Sequence, residues 1–249
     1  MIVLKTNREL ALMKEACEIS AEALYRAGEA VKPGVSTWEI DKLAHDFIIR
    51  CGAKPNFLHY GGFPATACIS INDEVIHGIP NKHRIIQDGD IVSIDLGAAK
   101  NGYNGDNAAT FVAGHCSPEA KRLIDVTRES LYQGIAQAVP GNRIGDIAHA
   151  VQAYAEERGF SVVRDFVGHG VGTKLHEEPS VPNFGHAGRG IRLLPGMTLA
   201  IEPMINLGTY KVKQLSDGWT VKTADGKLAA HFEHTVAVTP NGPVILTKF

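Results

Sequence analysis

Apolar residues recur at helical spacing near the start of the chain. Leu10, Met13, Cys17 and Leu24 fall on one stripe within residues 7–30, the three-to-four-residue period of an amphipathic helix. Asn7 is the expected cap, and Gly28 or the Lys32-Pro33-Gly34 turn the expected stop. Ser36-Thr37-Trp38-Glu39 has the form of a capping box and launches a second helix through Ile40, Leu43, Phe47 and Ile48 as far as Gly52. The pattern then turns β-like at 65–76, 91–96 and 108–113, with a turn at Gln87-Asp88-Gly89-Asp90. Helices are predicted again over 118–138, opened by Pro118-Glu119, and over 144–158, ended by Gly159. Strand-like runs follow at 161–167, 197–202 and 231–239.

The second series repeats the first. At a fixed offset of 107 residues, Leu24/Leu131, Tyr25/Tyr132, Pro33/Pro140, Gly34/Gly141, Ile40/Ile147, Gly52/Gly159, Gly89/Gly196 and Asp95/Glu202 coincide. Matches that keep one register through helix, Pro-Gly turn, helix and strand argue for a duplicated α+β unit of about 100 residues. We therefore expect an α+β fold in which two helical pairs cover one face of an antiparallel sheet. The expectation is a single domain over 1–249, with halves of approximately 1–110 and 111–249.

Composition narrows the class. Lys+Arg 25 against Asp+Glu 27 leaves a net charge of -2, too balanced for general polyanion binding. The four cysteines, at 17, 51, 68 and 116, form no CxxC pair, so neither a disulfide framework nor an all-cysteine zinc site is indicated. The N-terminus has no signal-peptide pattern and no apolar run approaches the ~20 residues of a membrane span. A reducing, cytoplasmic setting is expected. A chain of this size buries roughly 70–75% of its unfolded surface and needs no metal or disulfide staple for stability. No G-x4-GK[ST], G-x-S-x-G or HExxH motif occurs.

Carboxylates and histidines sit in apolar or Gly-rich surroundings in five segments. These are EVIHGIP with His77, IVSIDLG through GYNGD with Asp95 and Asp106, GHGVGTKLHEEP with His169 and His176, LAIEP with Glu202, and HFEHTVAV with Glu233. Asp95 and Asp106 are separated by a Gly-rich turn, and a hairpin there brings both onto one ion whatever the parity of their numbers, because register across a loop is free. Taken singly, Asp106 reads as a turn residue, Glu233 as an edge residue and His169 as a core histidine. Together, buried acids in such number repel one another unless protonated or neutralised. Four carboxylates with one His make the hard, oxygen-rich ligand set that holds two divalent cations. His231 and His234, flanking Glu233, are the expected outer partners.

These five segments, in this order, resemble the type I methionine aminopeptidases of bacterial length over nearly the whole chain. The resemblance implies a pita-bread fold of two duplicated halves. It implies removal of the initiator methionine from nascent chains whose second residue is small. It places five metal ligands: Asp95 on one ion, His169 and Glu202 on the other, Asp106 and Glu233 bridging. His77 and His176 match the two pocket histidines, and Phe57, Tyr60, Phe63, Cys68, Leu175 and Trp219 match the methionine pocket. Gly61, Phe63 and Leu175 depart from a common His, Tyr and Phe. Only 25 residues separate His176 from Glu202, too few for the helical insertion of type II relatives.

The implied chemistry is amide hydrolysis by a water bridging two ions of Co, Mn, Fe or Zn. Glu202 would be the general base, His176 the donor to the oxyanion, and His77 the contact to the scissile amide nitrogen. The substrate's free α-amine would bind the second ion. Nascent polypeptide N-termini are the expected partners. A transient ribosome contact through scattered Lys82, Arg84, Lys121, Arg122, Arg189 and Arg192 is a further expectation, with no specific nucleic acid, no membrane and a monomeric state. The rival readings are X-Pro or prolidase-like specificity on the same fold, and a catalytically inactive binding scaffold.

Overall fold

The computed structural model describes residues 1–248. Four helices carry the periodic stripes: α1 (Asn7–Glu29), α2 (Thr37–Arg50), α3 (Pro118–Ala136) and α4 (Ile144–Glu156). In the first half the strands are β1 (Lys54–Pro55), β2 (Ala67–Ile71), β3 (Glu74–Ile76), β4 (Ile91–Lys100) and β5 (Tyr103–Val112). The second half begins with β6 (Ser161–Val162), β7 (Gly168–Gly170), β8 (Glu177–Val181), β9 (Thr198–Ile201) and β10 (Met204–Asn206). It continues with β11 (Val212–Gln214), β12 (Val221–Thr223), β13 (Ala229–His231), β14 (Glu233–Thr239) and β15 (Gly242–Ile245).

The cap of α1 is Thr6, not Asn7. Thr6 accepts from the Glu9 N–H, and the Glu9 carboxylate accepts from the Thr6 N–H at 2.7 Å, so Thr6-x-x-Glu9 is a second capping box like that at Ser36. The run at 65–76 is two strands, because Asn72 turns the chain in the left-handed region at φ 58. The run at 161–167 pairs only at 161–162, and 231–239 is interrupted at Phe232.

Nine strands form one antiparallel sheet, in the order β1-β4-β5-β14-β9-β7-β8 with β2 against β4 and β15 against β14. Val92, Ile94, Leu96 and Ala98 alternate toward α1 and α2, where they join Ala23, Leu24, Ile40, Ala44 and Ile48 in one core. Leu123, Leu131, Ile135, Ile147, Leu199, Ile201 and Val236 form the matching core under α3 and α4. Each fully buried aliphatic side chain contributes roughly 1.5–3 kcal/mol of transfer free energy.

The duplication is geometric as well as sequential. At the offset of 107, α1 and α3 end together, and α2 and α4, like β4 and β9, begin together. The isolated bridge Ser36–Ile85 recurs as Arg143–Arg192. Gly34 donates to the Ile86 carbonyl as Gly141 donates to Leu193, and both glycines need the left-handed backbone, at φ 91 and 95. The match then slips: Gly89 donates to Ala113 but Gly196 to Val238, an offset of 125. The β11–β12 hairpin, which carries the turn with Trp219, lies within the inserted stretch.

Candidate active site

Sheet register builds the site. β4 and β5 pair so that Asp95 lies opposite Ala108 and Gly97 opposite Asp106, which puts the two acids on one face as diagonal neighbours. Ala108 lies in turn opposite Glu233 of β14. β14 pairs with β9 through His234–Ile201, and the next step in that register would set Glu202 opposite Glu233. His169 of β7 faces Ala200, two residues before Glu202. Asp95, Ala108 and Glu233 thus form a row across three strands, which Glu202, just past the end of β9, extends in the same register. Asp106 and His169 stand two residues off the row on the same face. Small Ala108 leaves space in the middle of the row.

The side chains converge accordingly. Ligand atoms of Asp106, His169 and Glu233 lie within 4.8 Å of one another. His169 Nε2 is 3.8 Å from Asp106 Oδ2 and 3.6 Å from Glu202 Oε1. Its Nδ1 lies 2.9 Å from the Gly170 carbonyl. A carbonyl only accepts, so Nδ1 carries the proton and Nε2 presents its lone pair to the acids.

Burial has large electrostatic consequences here. It pushes the Asp95 carboxyl up to about 7, helped by the Glu202 charge and opposed by His231. It pushes Glu202 up to about 8. Burial and then the neighbouring acids raise Asp106 and Glu233 well above the usual carboxylate range. It drives His169 down to about 3, with His176 adding to the shift.

Oxygens of Asp95 (Oδ1), Asp106 (Oδ1) and Glu233 (Oε1) are buried without a hydrogen-bond partner. Acceptors left bare in this way, beside an unprotonated imidazole nitrogen, fit divalent cations in kind: four carboxylates and one imidazole, no thiolate.

The acids floor a cavity that opens to solvent. All of the residues singled out as ligand, catalytic or pocket positions line it. Phe63 meets Trp219 edge-on at 5.1 Å, and both pack with Phe57 and Cys68. His77, held at φ 60, presents its ring edge-to-face to Phe166 at 5.7 Å and to Trp219 at 6.3 Å. Burial, then His231 and His176, push its imidazole down to about 4, so it is neutral at pH 7. His176 sits on the solvent side, 4.0 Å from the His169 ring centre, with its Nδ1 2.8 Å from the Tyr60 hydroxyl.

Of the two outer histidines, His231 comes within 3.7 Å of Glu202, whereas His234 turns away to the Thr247 hydroxyl at 3.0 Å. Lys5 Nζ makes a buried ion pair with Glu177 at 2.6 Å, tying the N-terminal segment to the residue beside His176. No spacing signals it, because the partners are 172 residues apart.

Residues 11–240 match metallopeptidase family M24. The chain is 55% identical over 247 residues to a methionine aminopeptidase of Clostridium acetobutylicum, covering 99% of each sequence. It is 52% identical over 248 residues to methionine aminopeptidase 1 of Bacillus subtilis, covering 100% of both. The structure of methionine aminopeptidase from Thermotoga maritima superimposes with a TM-score of 0.98 at 45% identity, covering 100% of each chain. A prolidase from Pyrococcus horikoshii shares the fold at a TM-score of 0.79 and 25% identity, over 100% of this chain and 64% of that one. Fold, acid cluster and full-length similarity agree, and the chain belongs to metallopeptidase family M24.

Proposed function

We propose that this protein is a metal-dependent methionine aminopeptidase, removing the N-terminal methionine from polypeptides whose second residue is small. The observation that carries the proposal is the row of acids beside His169 at the floor of a cavity walled by Phe57, Phe63, Cys68 and Trp219. A thioether side chain suits aromatic walls, since sulfur makes favourable contacts with ring edges.

In this reading Asp95, Asp106, His169, Glu202 and Glu233 would hold two divalent ions, drawn from Co, Mn, Fe and Zn according to availability. When bound, the ions supply a water nucleophile at neutral pH and a Lewis acid for the scissile carbonyl. Glu202, fixed at the end of β9, accepts the proton of the attacking water and passes it to the leaving amine. His176 donates to the oxygen on which negative charge develops. That role needs the proton on Nε2, and the Tyr60 hydroxyl, 2.8 Å from Nδ1, can serve as the donor to that nitrogen. His77, neutral and braced by Phe166 and Trp219, contacts the scissile amide nitrogen. The free α-amine of the substrate sits among the acids, which restricts cleavage to the first residue. We take the chain as a single catalytic domain, acting as a cytoplasmic monomer on nascent chains, with a transient ribosome contact through its local basic residues.

A comparison of peptides tests the specificity. Met-Ala-Ser is the expected substrate. Faster cleavage of Ala-Pro-Ala or of a Gly-Pro dipeptide would transfer the site to the X-Pro and prolidase specificities that share the fold, and no cleavage of any peptide by metal-replete protein would favour a binding scaffold.

A further inference from the structure

His231 has no part in the mechanism above, yet it lies against it. It ends β13 opposite Met204 and is 1% exposed. One hydroxyl clamps its main chain from both sides: Thr110 Oγ1 accepts from the His231 N–H at 3.0 Å and donates to the His231 carbonyl at 2.9 Å. That commits the only proton of Thr110, so Ser93 donates in the 2.8 Å contact between the two hydroxyls. The backbone therefore has no freedom to carry the ring elsewhere.

The ring itself is unsatisfied. Its Nε2 is buried without a hydrogen-bond partner, and Glu202 Oε2 stands 3.7 Å away. The other oxygen of Glu202 faces His169 Nε2 at 3.6 Å, so each carboxylate oxygen looks at one imidazole. A gap of 3.7 Å exceeds the roughly 2.7–3.2 Å of a hydrogen bond. It is also too short for a water, which needs two such bonds in series. A side-chain rotation of less than ~1 Å closes it, and hydrogen bonds at catalytic groups are often long until the site is loaded.

We propose that His231 is a positioning residue for Glu202: a neutral imidazole that donates its Nε2 proton to Glu202 Oε2 and so keeps Oε1 turned toward His169. The proposal rests on the reading of Glu202 as a ligand and proton acceptor. Held by one oxygen only, the carboxylate would be free to rotate about its last torsion, and both ion binding and proton transfer would suffer. Outer partners of this type are worth about 10–100-fold in metal affinity or activity.

The test begins with the zinc-loaded wild-type protein labelled with ¹⁵N-histidine. Long-range ¹H–¹⁵N correlation should show His231 protonated on Nε2; an unprotonated Nε2, as in a histidine that ligates metal through it, overturns the proposal. His231→Leu and His231→Gln are then compared by calorimetric titration with Mn(II) and by kinetics on Met-Ala-Ser. His231→Leu should weaken Mn(II) binding and lower kcat by about 10–100-fold each, with KM changed by less than about threefold. His231→Gln, which keeps an N–H donor, should restore both to within about threefold of wild type. Wild-type behaviour of the Leu variant, or a Gln variant as impaired as Leu, refutes the positioning role. A wild-type protein that binds no divalent ion defeats the reading of the whole site, whereas one that binds and turns over with Nε2 bare defeats this inference alone.

Discussion

Glu202 stands between two imidazoles: it follows directly on β9, its carbonyl accepts from Asn183 Nδ2 at 3.0 Å, and each carboxylate oxygen faces one ring. Removing its charge while keeping its shape isolates its chemistry. Glu202→Gln is expected to keep the fold and to lose roughly 10²–10⁴ in turnover; near-wild-type rates in metal-reconstituted Glu202→Gln would remove it as the base. His77→Ala is expected to cost about one to three orders of magnitude in kcat on Met-Ala-Ser, as a positioned donor should. An unchanged rate would place His77 outside the reaction. At this scale the residue types were legible in the sequence, because acids and histidines in apolar runs demand a compensating partner. Their alignment was not. The register that sets Asp95 beside Asp106 and Glu233 depends on turns whose geometry single-residue patterns do not encode.

The elements divide by length in how well the sequence foretells them. The four helices, of 13 to 23 residues, keep a long period, and all but α4 carry a side-chain N-cap, so their positions follow from pattern alone. Strands of two or three residues, such as β6, β10 and β13, are too short to alternate and exist through their pairing partners. The N-terminal segment shows the same limit. Lys5 leads into the cap of α1, and its pairing with Glu177 joins the first helix to the loop that carries His176. Breaking one partner of so buried a pair leaves an uncompensated charge, which costs about 3–5 kcal/mol. Lys5→Met should lower the unfolding free energy by that amount in chemical denaturation. A change below about 0.5 kcal/mol would mean that the N-terminal anchor contributes nothing to the fold.

Across the whole molecule the two halves meet in a concentration of carboxyl groups that the net charge of -2 conceals. In metal-free protein the Glu202 and Asp95 carboxyls, raised to about 8 and about 7, bind protons that the unfolded chain releases near pH 4. Their stabilising contribution is full at low pH and is lost as pH rises through 7 and 8. The buried imidazoles of His77 and His169, lowered to about 4 and about 3, act in the opposite sense. Their contribution is present above about pH 6.5 and lost as pH falls. Above about pH 6.5 only the carboxylates titrate, so the melting midpoint of metal-free protein should fall between about pH 6.5 and 8.5. Saturating Mn(II) should raise it most at the alkaline end; a midpoint that climbs across this window without metal would contradict the acid cluster as described.

In the proposed reading, two halves of one sheet assemble a metal site for the free amino terminus of a methionyl peptide. It is tested most directly by following methionine release from Met-Ala-Ser and from its N-acetylated form, with chelated protein and with protein reloaded by measured amounts of Mn(II). Release is expected from the free peptide only, rising with the added metal and absent after chelation. Equal cleavage of the acetylated peptide, or full release by protein shown to be free of metal, would contradict it.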